Sequence, residues 1–95
     1  MNVNDEINIS LDHIVQLYKK YGHNKLCVIA MEECAELQQA ISKYIRGDND
    51  LTNLTEEMAH VLICIDELSH MLGIPKHKIQ DEIDKKYSQF EKGGE

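Results

Sequence analysis

Apolar residues recur along most of this chain at a helical period, and glycines punctuate them. Leu11, Ile14, Val15, Tyr18 and Tyr21 form one face of a first segment, with Ser10 placed to cap it and Gly22 to end it. A second segment opens at Asn24, as its cap, and runs to about Arg46 before Gly47 stops it. At about 100° per residue its Leu26, Ala30, Leu37, Ala40, Ile41 and Tyr44 share one stripe. Leu54, Val61, Ile65, Leu68 and Leu72 make the stripe of a third, which a capping box of Asn53 and Glu56 opens and Gly73 closes. Pro75 fits the first turn of a fourth, along which Ile79, Ile83, Tyr87 and Phe90 recur. No segment alternates as a strand would. The pattern predicts an all-α protein, a four-helix bundle. The Gly47–Asp50 turn is so short that the third helix must return beside the second, so the central pair is expected to be antiparallel.

Acids interrupt two of these stripes at matching places. Met-Glu-Glu-Cys-Ala-Glu-Leu, from Met31 to Leu37, is echoed by Thr-Glu-Glu-Met-Ala-His-Val, from Thr55 to Val61. Glu33 projects into the middle of its stripe and Glu36 lies on the edge, about 60° away. Glu57 repeats the inward position on the third helix, and His60 takes the edge position of Glu36. A carboxylate turned into a core loses hydration, at a cost on the order of a few kcal/mol, or it protonates. Partners such as Lys, Arg or Tyr would answer that need, as would a helix rotated further toward water. The same offset on two helices favours one shared cation instead. Oxygen ligands from Glu33, Glu36 and Glu57 suit a hard ion such as Mg²⁺ or Mn²⁺. Glu32 and Glu56 lie roughly another 40° toward solvent, as a flank.

Glu32-Glu33-x-x-Glu36, followed after twenty residues by Glu57-x-x-His60, resembles the MazG-like all-α nucleoside triphosphate pyrophosphohydrolases. Their pattern is E-E-x-x-E, a variable spacer, then E-x-x-D, and the resemblance covers about residues 10 to 91. It implies an oligomeric helical fold, a homodimer or homotetramer, that cleaves NTP or dNTP to the monophosphate and pyrophosphate with Mg²⁺. Glu33, Glu36 and Glu57 match the family's metal ligands. His60 stands where the family has Asp, which puts its ligand role and the activity in question. Glu32 or Glu56 would orient the attacking water. Lys85-x-x-x-Gln89 resembles the Lys and Asn that the family uses near its C-terminal end. Lys25 and Lys43, close to the Glu36 edge, are further candidates to bind phosphate.

Two other readings share these residues. Glu57-x-x-His60 is also the Glu-x-x-His unit of di-iron carboxylate bundles, although the second motif here is Glu-x-x-Glu. A helical interaction module that kept the acidic scaffold and lost turnover is the other. No Walker-type glycine loop is present.

Length and charge narrow the rest. Ninety-five residues allow one domain, taken as residues 10–91 with a flexible lead-in at 1–9 and a frayed tail at 92–95. Seventeen acids against ten Lys and Arg argue against nucleic acid as a partner. No apolar run is long enough for a membrane, and Met1–Glu6 lacks the basic and apolar regions of a signal peptide, so a cytoplasmic protein is expected. Cys27, Cys34 and Cys64 read as small buried hydrophobes in a reducing compartment. One geometric strain is visible in advance. Glu33 lies about fourteen residues before the turn and Glu57 only about eight after it, a mismatch of roughly 8–10 Å at 1.5 Å per residue. The site closes only if the second helix bends or its last turns overhang the third.

Overall fold

The first helix begins where the sequence offers a hydroxyl. In the computed structural model, which describes residues 7–93, Ser10 is extended and its Oγ accepts from the His13 N–H at 3.4 Å. Three helices follow: α1, Leu11–Ile45; α2, Thr52–Leu72; and α3, Lys76–Glu91. No strand occurs among the described residues. The chain is all-helical, with three helices in place of the expected four. The first two expected segments lie in α1, which is interrupted at Gly22 with φ 76° and ψ 174°. That conformation is open essentially to glycine alone, so one residue makes the whole break. Helical dihedrals resume at His23, and Asn24 lies inside the helix rather than capping it. The Asn24 Oδ1 sits 3.3 Å from His23 Nδ1 instead.

The start of α2 also departs from expectation. Asp50 Oδ1 accepts from the Thr52 N–H at 3.0 Å, and hydrogen bonds from Thr52 hold the Asp50 carboxyl below the usual carboxylate range. The helix is therefore under way at Asn53, and the Asn53–Glu56 box does not form: Leu51 occupies the cap position with no side-chain cap. At the other end Gly73 is left-handed, φ 65°, and lets the Ile74 N–H reach Ser69 O at 2.9 Å. Pro75 holds the cap position of α3, one residue before the first turn.

Packing is concentrated between α1 and α2, while α3 contributes no buried residue. Ile14, Leu26, Ala30, Ala40 and Cys64 form the apolar core. On α1 the expected stripe holds at Leu26, Ala30 and Ala40, but Ile41 and Tyr44 are exposed. On α2 the inward face is Glu57, Cys64 and Glu67, whereas Ile65 and Leu72 are exposed. The helix is thus turned by roughly 80° from the face that its aliphatic residues define. Of the cysteines only Cys64 is buried; Cys27 is half-buried and Cys34 is exposed.

Ile7 and Ile9, part of the expected lead-in, line grooves together with Leu62 and Ile65 of α2 and Ile79 and Ile83 of α3. Residues 1–6 of that lead-in and 94–95 of the expected tail lie outside the described residues. The register mismatch is not met by a bend after Glu33, because Gly22 is the one non-helical position inside α1. A six-residue connection, 46–51, joins α1 to α2, and such a segment reaches at most about 20 Å.

A Cβ added at Gly22 meets no atom within 4 Å, so the cost of Gly22→Ala is dihedral strain alone. Urea unfolding should show a loss of about 1–3 kcal/mol. A loss below about 0.5 kcal/mol would mean that the kink readily relaxes into continuous helix.

Candidate metal centre

Position 33 on α1 and position 57 on α2 face each other across the seam, and each brings its i+3 neighbour with it. One ligand atom from each of Glu33, Glu36, Glu57 and His60 lies within 4.8 Å of the other three. The depth of the four is graded. Glu57 is buried, with 8% of its surface exposed, Glu33 is half-buried, and Glu36 and His60 are open to solvent. The arrangement is a funnel with its most costly carboxylate at the bottom.

Two contacts hold it together. The His60 ring N–H donates from Nδ1 to Glu33 Oε2 at 2.8 Å, and the same nitrogen stands 3.7 Å from Glu57 Oε2. The second distance is too long for a hydrogen bond. Glu57 Oε2 is accordingly buried without a hydrogen-bond partner. An orphaned buried carboxylate oxygen facing two further carboxylates and an imidazole is a donor set that fits a divalent cation. The chemistry of the set is three oxygens and one nitrogen, harder than a zinc thiolate site and softer than an all-carboxylate one.

The other expected site residues do not belong to this group of four. Glu32 and Glu56 are exposed, on the flank where the helical period puts them. Lys25, Lys43, Lys85 and Gln89 are exposed too, and among the described residues no ion pair or hydrogen bond joins them to the four ligands. Lys85 Nζ instead pairs with Glu82 one turn earlier on α3, at 3.2 Å. His13, His23, His70 and His77 are exposed.

One residue beside the centre escaped the pattern reading. Glu67 is 5% exposed, its Oε2 has no hydrogen-bond partner, and burial pushes its carboxyl above the ordinary value. It lines an open depression of about 170 Å³ with Ile29, Glu33, His60, Ile63 and Cys64. Burial, with the nearby Glu67 and Glu33 charges, lifts the Cys64 thiol to about 11, so that it stays protonated at neutral pH. The available signal was spacing: Glu67 follows His60 by seven residues, nearly two full turns, and so lies within about 20° of it on α2.

The Glu67 shift has a definite sign. The folded chain binds the Glu67 proton more tightly than the unfolded chain does, so this group's contribution to stability declines as pH rises above about 4.5. Glu67→Gln has no such decline. The melting temperature of the variant minus that of the parent should be small below pH 4.5 and grow as the pH is raised above it. A constant difference would show that Glu67 titrates normally in the folded chain.

No family model, no curated protein and no solved structure matches this chain.

Proposed function

We propose that the chain is a metal-dependent nucleoside triphosphate pyrophosphohydrolase, releasing a nucleoside monophosphate and pyrophosphate from NTP or dNTP. The observation that carries this reading is the convergence of Glu33, Glu36, Glu57 and His60 around an unpartnered buried carboxylate oxygen. Its other support is the resemblance of these residues, in their order and spacing, to the MazG-like pattern.

In this reading the four residues hold Mg²⁺ or Mn²⁺, which when bound supplies Lewis-acid stabilisation of phosphate oxygens and acidifies water. Glu32 or Glu56, exposed on the rim, takes the proton of a water that attacks the α-phosphorus. The α–β bridging bond breaks and pyrophosphate departs with the bridging oxygen. Lys25, Lys43, Lys85 and Gln89 supply positive charge and hydrogen bonds to the phosphates; Lys85 exchanges Glu82 for a phosphate oxygen to do so. The α1–α2 pair is read as the antiparallel heart of a four-helix bundle. Met31, Met58, Ile65, Tyr87 and Phe90 leave large apolar surface in water, and a homodimer or homotetramer covers it.

A second reading rests on the 2.8 Å contact of His60 with Glu33. There the imidazole, when protonated, takes the cation's place between Glu33 and Glu57, and the chain is a helical interaction module without turnover.

Glu33→Gln and Glu57→Gln should lower pyrophosphate release by about 100-fold or more, the scale of losing a group that stabilises transition-state charge. In chelator Glu57→Gln should melt higher than the parent, since it removes a buried carboxyl whose Oε2 has no hydrogen-bond partner, and saturating Mn²⁺ should reverse the order. A lower melting temperature for the variant in chelator would assign Glu57 to structural pairing with His60.

His60 separates the two readings. A neutral imidazole brings a nitrogen donor without charge, so the parent should prefer Mn²⁺ to Mg²⁺, and His60→Asp should shift the preference toward Mg²⁺. Equal metal preference in parent and variant would remove His60 from the ligand set. No pyrophosphate from any nucleotide with either protein would leave the interaction module standing.

A further inference from the structure

α1 carries two seams, and α2 fills only one of them. The first runs through Leu26, Ala30, Glu33, Leu37 and Ala40, all buried or half-buried where α1 packs on α2. The second runs through Cys27, Met31, Cys34, Gln38, Ile41 and Ile45, displaced by one residue and so by about 100° around the helix. Its steps alternate between four and three residues, the repeat by which one helix packs along another. Among the described residues nothing covers it. Met31 is 72% and Ile45 76% exposed, and Cys34, Gln38 and Ile41 are open as well. Along its middle lies an open groove of about 500 Å³, walled by Cys27, Met31, Cys34 and Ala35 on α1 and by Leu68 on α2. Charge avoids this face. Between residues 26 and 45 the charged residues are Glu32, Glu33, Glu36 and Lys43, and all four fall within an arc of about 100° away from the second seam. A helix face that merely meets water has no reason to stay free of charge for about five turns.

We propose that this face is the contact between two copies of the chain, α1 of one packing on α1 of the other. The proposal names the face of the oligomer and holds whether or not the chain hydrolyses nucleotides. Area supports a second copy. The chain exposes 7617 Å², where a folded chain of 10.9 kDa ordinarily exposes about 5,600 Å². The excess, about 2,000 Å², is more than twice what each partner gives to an interface of standard size. Charge selects the same partner. Each copy carries a net −7, so two copies repel unless their carboxylates stay apart. Packed on this face they do, because Glu32, Glu33 and Glu36 lie at least about 120° from the middle of the second seam. The contact is isologous, each residue meeting one of the same uncharged set, and a partner recognised by charge finds nothing here to pair with. Glu36, at about 180°, leaves the metal centre open to solvent.

The test combines sedimentation equilibrium with the alkylation rate of Cys34, read on its own peptide by mass spectrometry; neither depends on turnover. At tens of micromolar the parent should sediment as a dimer or a larger multiple, and a monomer there overturns the proposal. Cys34, exposed in the single chain, should react with N-ethylmaleimide about tenfold or more slowly in the oligomer than after dilution to a nanomolar monomer. An oligomer whose Cys34 reacts as fast as that of the diluted chain uses another face and overturns it too. Met31→Glu sets two carboxylates into one apolar contact and should weaken association by about 100-fold or more. Phe90→Glu, on α3, should leave association unchanged. Undiminished association in Met31→Glu overturns the proposal, as does a loss confined to Phe90→Glu. Met31 lies in water in the single chain, so the helix content of Met31→Glu should match that of the parent. If it does not, protection of Cys34 in the parent decides alone.

Discussion

A carboxylate at the bottom of the α1–α2 seam constrains everything around it. Glu57 is buried, only slightly more exposed than the residues of the apolar core, yet its Oε2 has no hydrogen bond and His60 Nδ1 stands 3.7 Å away. Interiors tolerate such a group only with compensation. Glu33, Glu36 and His60 converge with it toward the open side of the funnel. The seam therefore cannot close into a dry hydrophobic contact. Among the described residues the apolar core is correspondingly small, five residues, two of them alanines.

That economy explains the rest of the surface. A 95-residue chain buries a modest fraction of its unfolded area even with a well-formed core. Here α3 adds no buried residue, although Ile79, Ile83, Tyr87 and Phe90 give it a periodic apolar face. Tyr87 and Phe90 are more than half exposed. The apolar faces of α3 and of the end of α1 thus keep large hydrophobic side chains in water.

The sequence disclosed whatever depends on helical period and little that depends on rotation. Glu33, Glu36, Glu57 and His60 were legible because the same three-residue spacing on two neighbouring helices brings two pairs of side chains to one height. The break at Gly22 was legible, since only glycine adopts its dihedrals at low cost, but its consequence was not: one residue kinks a helix without requiring a new cap at Asn24. The start of α2 misled because Asn53 and Glu56 satisfy a local rule, while Asp50 reaches Thr52 first. Lys85 could not be placed by pattern at all. Its partner, Glu82, is one turn away on its own helix, and an exposed lysine is decided by such local competition.

Glu67 is the most instructive of these failures. Aliphatic residues on α2 define a stripe centred near Val61 and Leu68, and a carboxylate beyond its edge reads as solvated. In the folded chain the inward face runs through Glu57, Cys64 and Glu67 instead. The seam is organised by where the acids meet α1, and the aliphatic residues Ile65 and Leu72 are left outside. A helix that served stability alone would turn the other way, placing its aliphatic stripe inward and its acids in water. Two buried, unpartnered carboxyls on one helix, Glu57 and Glu67, are a stability cost incurred ten residues apart along a single face of the seam. Each leaves an Oε2 that no group among the described residues hydrogen-bonds.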